Sequence, residues 1–181
     1  MVWHGSLRLG AMRQVEVSVH AGFVLTLLGV TWLLASALFP RLFPGWTPVA
    51  YWLVASAVAT VDALAGLLHE LGHAGVALAR GRAVDRITLY GLVAAVKRSA
   101  DPARPRDQLL IAMAGPACHL VVACALGAAW HVLPVDNEPL RVAAGFPAVS
   151  NLAVGLLNLM PVLPLDGGRA ARALVAVVLH V

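Results

Sequence analysis

Four long apolar stretches, separated by short polar ones, set the pattern of the chain. The first runs from about Ala21 to Phe39 and is stopped by Pro40 and Pro44. The second runs from about Val49 to Ala79 and ends at Arg80-Gly81. The third covers about 109–130, after Pro105, and the fourth about 142–159, with Pro147 inside it and Pro161 ending it. Each is close to or beyond the roughly 20 residues a helix needs to cross a bilayer core. A fifth stretch, 170–181, follows Asp166-Gly167-Gly168 and is too short to span alone, so it predicts a partial helix packed on the others. Between the second and third stretches, residues 84–96 alternate imperfectly around Tyr90-Gly91, with Ile87, Leu89, Leu92, Val93 and Val96 apolar. That predicts a short β-hairpin over about 84–97 at the membrane surface. Residues 98–107, with Pro102 and Pro105, read as a loop. The expected architecture is therefore an all-α polytopic membrane protein. It has four full transmembrane helices, a partial C-terminal helix and one membrane-associated hairpin, in a single domain over 1–181.

Composition agrees. The 181 residues are 60% hydrophobic and 12% charged, too few polar groups to cover a water-facing surface. The net charge of +4 is a topology signal. Counting crossings, the N-terminus, residues 80–106 and residues 162–172 share one side and hold all the Lys and Arg except Arg41 and Arg141. The positive-inside rule makes that side cytoplasmic. No basic-aromatic pattern supports nucleic-acid binding. Cys118 and Cys124 form no CxxC pair and read as free thiols in an apolar run. Ala35-Ser36-Ala37 resembles a signal-peptidase site, but the run before it is as long as a span and longer than a signal core. The single Lys97 against many Arg, with abundant Ala and Val, suggests a bacterial source and hence a bacterial plasma membrane.

The chemistry lies at His69-Glu70-Leu71-Gly72-His73, an HExxH inside the second stretch. Residues four apart share a helix face, so both imidazoles can reach one metal, with Glu70 beside them to take a proton from water. An ionisable group in a span is a functional candidate by default. The motif lies about 10 Å inside the edge marked by Arg80, at about 1.5 Å per residue. The bland reading is two histidines joining helices by hydrogen bonds, with Glu70 bonded to a neighbour. A zinc hydrolase needs a third protein ligand and an open fourth position. The extended metzincin pattern is absent, because Val76 and Ala79 stand where its glycine and third histidine would be. Candidates at membrane depth are His119 and Asp166; Asp62 lies two turns before His69 on the same face. Asp166 can also be read as a helix N-cap, and Asp62 as a structural carboxylate. Pro161 and Pro164 break helix and Gly167-Gly168 free the backbone, so 158–168 reads as unwound chain, tolerated in a membrane only beside protein or a water cavity.

Asn158-Leu-Met-Pro161-Val-Leu-Pro164-Leu-Asp166-Gly-Gly168 resembles the NxxPxxPxDGG signature of the site-2 proteases, which cut within membranes. HELGHA at 69–74 is similar to their first motif, and Ala114-Gly115-Pro116 to the Gly-Pro element of an intervening span. Val19-His20 resembles the opening of the first span in the sporulation-type branch. The likeness covers about residues 15–175 and includes no PDZ or CBS module. It implies one zinc held by His69, His73 and Asp166, with Glu70 as catalytic base. It implies that Asn158 holds the substrate strand or its developing oxyanion. It further implies endopeptidase action on membrane-spanning segments of other proteins. His119 departs from the Asn or Ser the family often shows there. The competing classes are a metal-binding membrane transporter and a catalytically inactive relative.

Overall fold

A computed structural model of the chain describes residues 6–12, 15–90, 93–98 and 104–179. His4, His180, Gly91 of the expected Tyr90-Gly91 turn with Leu92 after it, and Asp101 and Pro102 of the expected loop lie outside the described residues. In order along the chain, strands β1 (Ser6–Met12) and β2 (Val15–His20) lead into helix α1 (Ala21–Leu33). One π-helical turn (Leu34–Leu38) joins α1 to α2 (Phe39–Leu42). Then come α3 (Pro48–Ala79), β3 (Val84–Tyr90), β4 (Val93–Arg98), α4 (Pro105–Val132), α5 (Glu138–Asn158) and α6 (Asp166–Val178). Among the described residues, four helical units, 21–42, α3, α4 and α5, are long and apolar enough to cross a membrane. The chain is thus a multi-pass membrane protein by its spans.

The spans run longer than their apolar cores. Pro105 and Pro139 sit in the first turns of α4 and α5, where a missing N–H costs nothing, so those helices begin in polar sequence. Pro40 does not stop the first span. The π-helical turn before it shifts the hydrogen-bond register, Phe39 N–H bonding Leu34 C=O, and the helix continues to Leu42. At Arg80 the long α3 does end where expected. Gly81 takes φ +71° and Arg82 N–H returns to the Ala77 carbonyl at 2.9 Å, closing a Schellman-type cap.

The strands go beyond the single hairpin expected beside the helical bundle. The hairpin at 84–98 is present, but β1 and β2 extend it into a four-stranded sheet of order β1-β2-β3-β4. β2 runs parallel to β3 and the outer pairs are antiparallel. A period-2 signal was available in Val15, Val17 and Val19 against Glu16, Ser18 and His20. β3 is paired on both sides, so Thr88 and Leu89 offer no free edge. His20 caps α1, its Nδ1 accepting from Gly22 N–H at 3.0 Å, so the sheet passes directly into the first span.

α4 lies against α3, α5 and α6, α3 also meets α5, and α1 rests on α3. Close approach relies on small residues, as in membrane bundles generally. A Cβ on Gly72 would stand 2.7 Å from Cys118 Sγ and 2.9 Å from the Ala114 carbonyl. At one end Phe39, fully buried, stacks edge-on with Phe43 and Phe146, and Trp46 Nε1 donates to Glu138 at 2.7 Å. The loops after α2 and before α5 therefore share that end. At the other end, Ala74, Ala77, Val84 and Ile111 pack together and Arg80 pairs with Asp107 at 3.7 Å. Large apolar side chains such as Leu25, Leu53, Val121 and Val149 face outward on the spans, as lipid requires.

Candidate metal centre

On α3 the four-residue spacing stacks His69 and His73, with ring centroids 4.6 Å apart. Both are buried, at 8% and 2% exposure. Their Nε2 atoms lie 3.0 Å apart. Asp166 Oδ2 completes a near-equilateral triangle, 3.1 Å from His69 Nε2 and 2.9 Å from His73 Nε2. Among the described residues these three form a group able to hold a metal ion.

Each of the three side chains is aimed by a neighbour. His73 Nδ1 lies 2.6 Å from the Ile111 carbonyl. A carbonyl only accepts, so Nδ1 carries the proton and the Nε2 lone pair faces the triangle. His69 is held by ring packing, against His73 and, at 5.0 Å between centroids, against His119. Asp166 spends one oxygen on the triangle while the other accepts from Arg169 Nη1 at 3.1 Å.

Asp166 does not stand at the N-cap of α6. Leu165 is the N-cap of α6, Asp166 is its first helical residue, and no side chain caps that helix. The Gly167-Gly168 pair is likewise helical, and neither has positive φ. Their role is clearance. A Cβ on Gly167 would overlap the Leu159 carbonyl, and one on Gly168 would stand 2.6 Å from the Val162 backbone. The unwound stretch is thus 159–165, folded tightly over the start of α6, and this contact delivers Asp166 to the histidines.

Gly115 makes the strongest test of fit to a metal. A Cβ there would overlap His73 Nε2 and lie 2.7 Å from His69 Nε2. Around a tetrahedral zinc with bonds of about 2.0–2.1 Å, ligand atoms stand roughly 3.3 Å apart, so the triangle needs to open by only a few tenths of an ångström. Two imidazoles and a carboxylate, with space kept free by a glycine, fit such an ion.

A cavity of about 690 Å³ opens beside the triangle. Glu70 lines it with His69, Asp166, His119, Asn158 and Pro164, and α1 supplies its far wall through Phe23, Thr26 and Val30. Asn158, half-buried at the end of α5, donates from Nδ2 to Val154 C=O at 3.1 Å. The sequence-expected residues therefore meet in one place. Three partners were not anticipated: the Ile111 carbonyl, Arg169, and the Ser150-Asn151 pair that bonds Asp62.

The chain is similar to several known proteins. It is 35% identical over 170 residues to Rip3 of Mycobacterium tuberculosis, a zinc metalloprotease by name, covering 93% of this chain and 43% of Rip3. It is 27% identical over 173 residues to zinc metalloprotease MJ0392 of Methanocaldococcus jannaschii, covering 94% of this chain and 46% of the relative. Stage IV sporulation protein FB of Bacillus subtilis is 28% identical over 104 residues, 57% of this chain and 35% of that protein. The chain thus spans less than half the length of these curated relatives. The solved site-2 protease from Methanocaldococcus jannaschii shares the fold, with TM-score 0.64 at 23% identity over 94% of this chain and 72% of that one. No protein-family model matches.

Proposed function

The chain belongs to the site-2 protease family of zinc metalloproteases, and from that premise we propose that it is an intramembrane endopeptidase, hydrolysing peptide bonds in or near membrane-spanning segments of other proteins. The observation that carries this reading is the buried triangle of His69, His73 and Asp166 at membrane depth, with Glu70 in the same cavity. A transporter reading gives Glu70 no task.

In this reading His69, His73 and Asp166 hold one zinc. When bound, zinc supplies the Lewis acidity that activates water and polarises a peptide carbonyl. Glu70 takes the proton from the attacking water and returns it to the departing amine. Asn158, at the cavity's edge, offers an amide N–H to the substrate strand or to the oxygen that gains charge. Arg169 keeps Asp166 turned toward the histidines. The substrate is a membrane protein, whose helix must open before its amides reach the cavity. The sheet end, with most of the basic residues, faces the cytoplasm of a bacterial plasma membrane.

The test uses the purified chain in detergent with a helical substrate. Wild type is expected to hold about one zinc and cut, while Glu70→Gln keeps the metal and loses roughly 10²–10⁴-fold in turnover. Ordinary cleavage by Glu70→Gln removes the enzyme reading.

A further inference from the structure

Asp62 lies two turns before His69 on α3, lines the same cavity, and has no task in the chemistry above. Its surroundings are built. Ser150 Oγ and Asn151 Nδ2, both on α5, donate to its Oδ1 at 2.8 Å each. Asn151 is 2% exposed, and the same Nδ2 also donates to the Pro147 carbonyl at 2.8 Å. That arrangement turns the amide oxygen of Asn151 toward His119, whose Nδ1 lies 2.7 Å away. An amide oxygen only accepts, so Nδ1 of His119 carries the proton. The donors therefore point one way along the chain, from His119 through Asn151 to Asp62. Oδ1 of Asp62 is satisfied twice over, and Oδ2 takes no hydrogen bond from any described residue. A carboxylate at membrane depth calls for a partner, and ionisable groups there pair with one another.

We infer that Asp62 is a substrate subsite that takes a basic side chain, lysine or arginine, about three residues from the bond that is cut. This rests on the protease reading, and the register follows from two rises. Seven helical residues at about 1.5 Å place Asp62 roughly 10 Å from His69. An extended substrate strand advances about 3.3 Å per residue, so about three residues cover that distance. A lysine or arginine in a membrane segment is costly wherever it stands unpaired, and at this register Asp62 relieves the cost. The subsite thus selects segments carrying a basic residue at one position.

Membrane-spanning peptides of leucine and alanine, with a single lysine walked along them, test this against the Glu70→Gln chain in detergent. Dissociation constants come from fluorescence anisotropy, and the cut site comes from mass spectrometry of the wild-type reaction. One register, about three residues from the cut, is expected to bind roughly tenfold tighter than the all-leucine peptide. Adding Asp62→Asn, which keeps the acceptor for Ser150 and Asn151, should abolish that gain while zinc content and leucine-peptide binding stay unchanged. A flat lysine scan overturns the subsite, as does a gain that survives Asp62→Asn, or no peptide bound at all. The scan on the Asp62-containing chain decides even where the Asn variant loses zinc. Cleavage separates the two readings. Peptides cut without lysine preference sink the subsite alone, whereas lysine-selective binding without any cutting sinks the protease reading and the register with it, leaving Asp62 only as a contact for a basic residue.

Discussion

A ligand set is only as good as what aims it, and here the aiming groups are a carbonyl, an arginine and a glycine. Ile111 fixes the tautomer of His73, Arg169 holds the outer oxygen of Asp166, and Gly115 leaves room before both imidazoles. Arg169→Gln should therefore lower zinc affinity by about 10–100-fold, read by competition with a chelator. An unchanged affinity would show that α6 alone orients Asp166. Gly115→Ala should strip the metal more thoroughly, because the added methyl overlaps His73 Nε2 and nothing at the ligand is free to yield. The variant should insert normally and hold far less than one zinc per chain; full zinc loading would contradict the placement of Gly115. Of this site, His69, Glu70 and His73 were legible from spacing alone, because four residues on a helix is a local rule. Asp166 came from the likeness of its motif, because spacing alone left ligand and cap both open, and its place beside the histidines rests on a contact across 93 residues.

At the scale of elements, composition located the spans and misjudged their ends. Helix termini are set by caps and prolines more than by hydrophobicity, hence the polar first turns of α4 and α5 and the continuation past Pro40. The N-terminal strands went unread because two short alternating runs before a long apolar one have no visible partner until β3 is placed beside them. The Asp166-Gly-Gly run was recognised as a break, but its physics is crowding. Gly167→Ala should destabilise the chain by about 1–3 kcal/mol through overpacking against Leu159 and should displace Asp166. Gly75→Ala, which meets nothing within 4 Å near the C-terminal end of α3, should cost no stability. Thermal unfolding with zinc analysis compares the two, and equal behaviour would remove the steric account of α6.

For the whole molecule, two ends are distinguished: one closed by aromatic rings around Phe39, the other carrying the sheet and the Arg80–Asp107 pair. In a background without Cys118 and Cys124, a cysteine at Ala83 should be protected from an impermeant thiol reagent in intact cells. One at Val135 should react. The reverse labelling would put the sheet end outside. The parallel pairing of β2 with β3 has a consequence for how such a chain is made. Val19 pairs with Leu89, about 70 residues later, and two membrane crossings lie between them. At about 5–20 residues per second, β2 leaves the ribosome several seconds before its partner exists. Through that interval β2 lacks the strand it will lie beside. It gains it only when α3 has crossed and returned the chain to the same side, so closure of the sheet marks completion of the first helical pair.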